Sequence, residues 1–405
     1  MQKSCSPSTL NSLRTAMRAN RSFGNVPFSR RISDITITRT GKPIIRTQGG
    51  RTHCDGLWCN WIPRALYPMC FYWADGTYGI ARQGCTVIVP YREEMAKRHL
   101  KVTGDLGRVI FMEYDLRNTE SLEESVRHSD VVYNLIGRMY PTKRNRVLTD
   151  VRNFGLEDVH VEGVERIAEA VAKYDVDRFI HVSSYNADLK SPSEFFRTKA
   201  YNQDQTSLAR GEQVARNIFP ETTIVRPAPM FGFEDRLLHK LAGVTNVFTS
   251  NHMQERYWPV HVIDVGQALE IMLQDDTTAQ QTYELYGPKN YSTAEIAALV
   301  DKETIKHRRH INVPKAILKP AANILNKALW WPVLSADEVE REFIDQKIDP
   351  TAKTFKDLGI EPADISSLTF HYLQGYRSSA FYDLPPATER EKREEKKYLH
   401  VIDDQ

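Results

Sequence analysis

A doubly wound α/β domain with a largely parallel sheet, followed by a smaller C-terminal α/β lobe, is the fold this sequence predicts, and three observations predict it. Short apolar runs alternate with helical stretches between residues 85 and 232. Several of those runs are rich in β-branched residues with little polar alternation, as strands covered on both faces require. The chain of 405 residues is 41% hydrophobic and 26% charged, which suffices for one large packed domain or two ordinary ones.

The elements follow in order. "CTVIVPYR" (85–92) is a β-branched run ending in a turn, and "AKRHLKV" (96–102) reads as a short helix. "VIFMEYDL" (109–116) is a second run closing on an acid, "SLEESVRHS" (121–129) is helical, and "DVVYNLIG" (130–137) is a strand. "VEGVERIAEAVAKYDV" (161–176) has apolar residues at helical spacing. "RFIHVSS" (178–184), a helix at 211–218 and the strand "TTIVRPAPMFG" (222–232) complete the series. Right-handed crossovers make such a sheet parallel, and its ligands bind beyond the carboxyl ends of the strands. The residues just after each strand are therefore the site candidates.

From residue 233 the alternation loosens. "ERYWPVHVIDVGQALEIMLQ" (255–274) and "TYELYGP" (282–288) precede "STAEIAALVDKET" (292–304), whose Ser292 and Glu295 form a capping box. "PKAILKPAANILNKALWWPVLS" (314–335) is apolar and basic; Pro320 and Pro332 are expected to break it into two helices packed on the main domain. The tail "EREKREEKK" (389–397) reads as a solvated helix or disordered end.

A net charge of +2 supplies no global field for nucleic acid. Residues 1–33 carry Lys3, Arg14, Arg18, Arg21, Arg30 and Arg31, seven serines and no acid, the composition of a mitochondrial presequence. No apolar run approaches the ~18 residues of a membrane-spanning helix. The cysteines Cys5, Cys54, Cys59, Cys70 and Cys85 match no paired zinc spacing and no disulfide framework, so free thiols and no metal site are expected.

Strand end by strand end, the chain resembles the extended short-chain dehydrogenase/reductase superfamily. Within it the resemblance is to the atypical branch that supplies a nucleotide-binding accessory subunit of mitochondrial respiratory complex I. "VIVPYREE", "VIFMEYDLRN", "VVYNLIGR", "FIHVSSYNA", "FFRTKA", "GEQVARNIFPETTIVRPAPMFG" and "PVHVIDVGQAL" carry it, over about residues 83–380. It implies a Rossmann-like domain at 34–232, a C-terminal lobe at 233–380 and a charged tail at 381–405.

Arg92 closes a strand where an acid would accept the ribose hydroxyls of NAD; a guanidinium there offers a fork of donors to a 2′-phosphate and favours NADP(H). By the resemblance, Asp115 would accept from the adenine amino group. Asn134, Gly137 and Arg138 end the next strand, where a glycine lets backbone approach a cofactor. Ser183 and Ser184 follow the strand after that, where the family keeps a hydroxyl that orients a substrate carbonyl.

Active members carry Tyr-x-x-x-Lys on one helix face, the tyrosine exchanging the proton and the lysine holding the nicotinamide ribose. Here the segment is "FFRTK": Lys199 is present and Phe195 fills the tyrosine slot. Phenylalanine has no proton to give, so no catalytic residue is assigned and the usual reductase chemistry is expected to be largely lost. Tyr185 and Tyr201 have the wrong spacing. "KAYNQDQTSLARGEQ" also contains about ten residues, Tyr201–Arg210, beyond the family's Lys-Ala-x-Gly-Glu.

The family's first strand and Gly-x-x-Gly-x-x-Gly turn, which hold the pyrophosphate, are absent in frame from 34–84. Shifting the codons of "WCNWIPRALY" (58–67) forward by one base forces glycines at Trp58 and Trp61 and permits "ATVFGATGFLGRY" from "CDGL" onward. Residues from about Thr52 to Ile80 therefore read as a wrong-frame or intron-derived translation, expected to pack poorly where the family packs its first strand.

The function this implies is a non-catalytic accessory subunit of complex I on the matrix side of the inner membrane, near the quinone site, with NADP(H) as a structural cofactor if the glycine turn is present in the true protein. Its partners would be other complex I subunits, a peripheral membrane contact stays open, and nucleic acid is excluded. The alternatives are an active NADP-dependent reductase or epimerase, and an interaction module without nucleotide.

Overall fold

The computed structural model describes residues 53–57, 85–92, 94, 100, 108–140, 142–143, 152–200, 211–232, 235–244, 246–328 and 335–382, with 53–57 described through the backbone. The presequence, the glycine-turn region at 58–84, most of the helix at 96–102, the added Tyr201–Arg210 and the charged tail lie outside these residues.

Among the described residues, seven strands form the main sheet: β1 His53–Leu57, β2 Thr86–Tyr91, β3 Val109–Glu113, β4 Val131–Asn134, β5 Arg178–Val182, β6 Thr223–Pro227 and β7 Thr282–Leu285. Their order is β7-β6-β5-β4-β1-β2-β3, and every pairing is parallel. The order reverses between β1 and β4, which puts the topological switch point, the usual ligand crevice of such sheets, at their carboxyl ends.

The helices are α1 Thr119–Val126, α2 Gly163–Lys173, α3 Glu194–Lys199, α4 Gly211–Ile218, α5 Leu238–Gly243, α6 Val262–Gln274, α7 Thr293–Thr304, α8 Lys315–Ala328, α9 Ala336–Arg341 and α10 Ile365–Leu373. Val164, Ile167, Ala168 and Val171 of α2 fall on one helical face and are buried against Val132 of β4, Phe179 of β5 and Phe219. On the opposite face Val131, Tyr133, Ile180, Val182 and Val225 pack with Val265, Leu269 and Met272 of α6. Both faces of β4 and β5 are thus covered, the reason those strands are apolar throughout.

In the C-terminal lobe, Leu238 and Leu241 of α5, Ile296 and Val300 of α7, and Ile365 and Leu373 of α10 form a separate core. Helix α7 starts with the expected capping box of Ser292 and Glu295.

Three expectations change. The backbone of the printed residues 53–57 fills the first-strand position expected to pack poorly: β1 lies between β2 and β4, with Cys54, Asp55, Gly56 and Leu57 registered on Val131, Val132, Tyr133 and Asn134. The central gap of a parallel sheet demands a partner for the backbone on both sides, and "HCDGL" supplies it although its composition is not that of a buried strand. Pro320 does not end its helix; α8 runs through it, forgoing one backbone hydrogen bond on a largely exposed helix. The run at 222–232 is two strands, because after Pro227 the chain leaves the sheet and Met230–Phe231 pairs with Val260–His261.

Candidate functional site

The carboxyl ends of β4 and β5 and helix α3 bring Gly137, Ser183 and Lys199 together. A Cβ on Gly137 would stand 3.2 Å from Lys199 Nζ, so the ammonium lies over a backbone kept bare by glycine. Lys199 is buried, and its Nζ is 3.5 Å from the Val182 carbonyl at the end of β5. Ser183, the next residue, is buried, and its hydroxyl has no hydrogen-bond partner among the described residues. A buried hydroxyl without a partner costs about 1–3 kcal/mol, which marks it as a place where a ligand or water belongs.

Phe195 lies one turn before Lys199 on the same face, its ring 5.9 Å from the ammonium. It is buried among aromatic and cationic neighbours: His160 edge-on at 5.5 Å, Phe196 at 5.6 Å, and the Arg341 guanidinium at 5.1 Å. Tyr185 packs on Phe196 at 5.3 Å, and burial pushes its phenol up. The position at which the resemblance leads to expecting a tyrosine is thus packed among aromatic and cationic side chains.

His160 sits in a π-helical turn, Asp158–Glu162, just before α2. Its Nε2 accepts from the Arg138 backbone N–H at 3.0 Å, so Nδ1–H donates to Thr198 Oγ1 at 2.8 Å, and Thr198 donates to the Phe195 carbonyl at 3.0 Å. Burial, then the charge of Lys199, holds this imidazole neutral, well below the usual histidine range. The turn closes on α4: a Cβ on Gly211 would overlap the His160 carbonyl oxygen. His181 on β5 is also kept neutral, pushed down to about 3 by burial and Lys199. Its Nδ1 accepts from Asn134 Nδ2 at 3.2 Å, while Asn134 Oδ1 accepts from the Ile136 N–H at 3.1 Å. Asn134 therefore shapes the turn after β4 and faces inward.

Arg138 is buried, its guanidinium 5.6 Å from the Tyr140 ring. Ser184 is buried beside Ser183. At the far end of the crevice Arg92, after β2, and Arg117, after β3, both approach the buried ring of Phe154, at 5.5 and 4.1 Å. Asp115 is half-buried between them in sequence, and its Oδ1 accepts from the Arg117 N–H at 3.1 Å. The following helix is capped instead by Asn118, whose side chain accepts from the Glu120 N–H.

The sequence-predicted residues therefore form two groups: Gly137, Ser183 and Lys199 at the ends of β4 and β5, and Arg92 and Asp115 at the ends of β2 and β3. Asn134 and Arg138 support the turn between β4 and the π-helical segment. Sequence reasoning missed His160, Gly211, Arg117 and the C-terminal residues Asp337 and Arg341. Gly211 alone carried a local signal, a glycine at the point where the helix resumes after the added residues.

Residues 79–312 match the family model described as the NAD dependent epimerase/dehydratase family. The chain belongs to that family. The family match starts at residue 79, at the end of the stretch 52–80 and just before the strand and helix alternation that begins at 85.

Among curated members, it is 67% identical over 382 residues to the NADH-ubiquinone oxidoreductase 40 kDa subunit, mitochondrial, of Neurospora crassa, covering 93% of this chain and 94% of the relative. It is 32% identical over 306 residues to the NADH dehydrogenase (ubiquinone) 1 alpha subcomplex subunit 9, mitochondrial, of Rattus norvegicus, covering 74% of this chain and 76% of that one. Among solved structures, a nucleoside-diphosphate-sugar epimerase from Staphylococcus aureus aligns with a TM-score of 0.53 at 15% identity, over 79% of this chain and 99% of its own. An NADPH-dependent quinone oxidoreductase from Escherichia coli, solved with NADPH, aligns at 0.54 and 12%, over 80% of this chain and 99% of its own. At these identities the structural likeness speaks for the fold alone.

Proposed function

We propose that this family member is a non-catalytic, NADP(H)-holding accessory subunit of mitochondrial complex I. The observation that carries the non-catalytic part is Phe195, buried against His160, Phe196 and Arg341 one helical turn from Lys199. Without a phenol at that position the proton step of carbonyl reduction lacks the tyrosine donor that the resemblance assigns to α3. The accessory role rests on the likeness to the mitochondrial oxidoreductase subunits of Neurospora crassa and Rattus norvegicus. Placement in the mitochondrion is supported by the same likeness and the basic, acid-free N-terminus, and the matrix side of the inner membrane near the quinone site is our own extension of that reading.

The residues at the strand ends suit the two halves of a dinucleotide, and holding its pyrophosphate needs the glycine turn. The bare backbone at Gly137 and the partnerless Ser183 hydroxyl suit the nicotinamide half, and Lys199 would hold its ribose. Asp115 would receive the adenine amino group, and Arg92 would take a 2′-phosphate, which favours NADP(H) over NAD(H). When bound, NADPH supplies a hydride donor; in this chain the residues around it orient the cofactor and move no proton. A ligand that binds only the folded state stabilises it by mass action, which is how a cofactor serves as a structural part.

The pyrophosphate turn belongs to this reading as well. We infer that residues from about Thr52 to Ile80 stand one base out of register. The start of the family match at residue 79 and the unusual composition of β1 support this. Sequencing the transcript across the region tests it: a message that translates as printed, with no spliced form restoring the glycines, overturns it.

Native electrophoresis of mitochondrial membranes tests the function, with nucleotide measured in the same band. Co-migration with complex I and a stoichiometric content of NADP(H) is the expected result. A free protein that consumes NADPH with a carbonyl substrate would favour the reductase reading.

A further inference from the structure

Helix α3 begins in an unusual way. Ser193 occupies its N-cap position with extended backbone, yet makes no side-chain bond to its own helix. Its hydroxyl donates to Asp337 Oδ2 at 3.0 Å, and Asp337 Oδ1 accepts the Glu194 backbone N–H at 2.8 Å. The cap of the helix that carries Phe195 and Lys199 is thus supplied from α9, in the C-terminal part of the chain.

Asp337 belongs to a segment, 335–347, that joins the two parts of the molecule. Arg341 pairs with Asp337 at 3.5 Å and covers Phe195, and Ile344 packs on Phe195, Phe196 and Leu156. Asn186, in the left-handed region at φ 51°, donates to the Asp345 carbonyl and accepts from the Lys347 N–H, both at 2.8 Å. On its other side the segment holds the lobe: Glu342 accepts from the Ser250 N–H and hydroxyl, Asp345 from the Arg256 N–H, and Gln346 from the Trp258 N–H.

We infer that Asp337 is a positioning residue that acts through α3 on Lys199, and that nucleotide binding and the docking of segment 335–347 are therefore coupled. This rests on the nucleotide reading above and adds to it a route by which a cofactor on the sheet rigidifies the C-terminal lobe. Asp337 contacts the first residues of α3, whereas Lys199 is at its end beside Gly137 and Ser183. Anything that fixes Lys199 favours the docked helix, and by reciprocity docking favours whatever Lys199 holds.

The test uses the full chain, with NADPH affinity read by fluorescence and backbone hydrogen exchange read by mass spectrometry. In the unmodified protein, saturating NADPH should slow exchange in 194–199 and also in 335–347. Asp337→Ala should weaken NADPH about tenfold, within the usual range of coupling between sites, and remove the slowing at 335–347. Asp337→Asn, which can still accept a backbone N–H, should restore most of both. Exchange in α10 serves as the folding control; if Asp337→Ala does not fold, Ile344→Ala carries the same expectation. Unchanged NADPH affinity in the alanine variant, or NADPH binding that leaves exchange at 335–347 unaltered in the unmodified chain, overturns the coupling. A chain that binds no NADPH at all overturns the nucleotide reading instead.

Discussion

Lys199 holds its ammonium 3.2 Å from the point at which a side chain on Gly137 would begin. The obstruction is the mobile end of a lysine, so Gly137→Ala should fold, with a stability change below about 1 kcal/mol. The methyl group would take the space assigned to the nicotinamide ribose and turn Lys199 aside. NADPH affinity is expected to fall at least about tenfold, a loss of ~1.4 kcal/mol, measured by titration of NADPH fluorescence.

Gly211 gives the opposite result. Its neighbour is the carbonyl oxygen of His160, backbone held in a π-helical turn, and it cannot move aside as a side chain does. Gly211→Ala should destabilise by about 1–3 kcal/mol, the ordinary cost of overpacking, and lower the melting temperature accordingly. Thermal unfolding followed by circular dichroism checks this.

Phe195→Tyr should not create a reductase. The new hydroxyl would be added to a buried ring already surrounded by His160, Phe196 and Arg341, with Ile344 packed in the same cluster. NADPH oxidation against a panel of carbonyl compounds should stay at the level of the unmodified chain. A gain on the order of 10²-fold, the lower end of what a general acid contributes, would contradict the packing argument.

Glu255 gives a pH dependence. Burial, with a lesser contribution from nearby Glu342, pushes its carboxyl up to about 7, against the hydrogen bond it accepts from Thr293. A carboxyl raised on folding binds its proton more tightly in the folded state, so its stabilising contribution is full below about pH 4.5 and is lost as pH rises through about 7. The stability of the unmodified protein relative to Glu255→Gln should therefore fall by about 3 kcal/mol from pH 4.5 to pH 8. Denaturant unfolding at a series of pH values measures it.

Much of the architecture was legible because it depends on local pattern. The apolar runs at 86–91, 109–113, 131–134 and 178–182, and the helical spacing of Val164, Ile167, Ala168 and Val171, state which faces are buried. Ser292 and Glu295 announce the start of α7 from sequence spacing alone. What was not legible depends on distant partners. The π-helical turn at His160 is set by Arg138, Thr198 and Gly211, which come from three other parts of the chain. Strand β1 exists because the sheet needs its backbone, whatever the side chains of "HCDGL" prefer. The cap on α3 comes from Asp337, far along the chain, although Ser193 stands in the N-cap position. Even Pro320, a reliable breaker by propensity, gives way where a helix starts close by and lies largely exposed.

The central claim, that the crevice beyond β4 and β5 holds NADP(H) without turning it over, is tested most directly by measuring the nucleotide released from the natively purified protein before and after incubation with candidate carbonyl substrates. The account predicts close to one NADP(H) per chain, unchanged in amount and redox state by the incubation, and lost in Lys199→Ala. Absence of nucleotide from the unmodified protein, or its substrate-dependent oxidation, would contradict it.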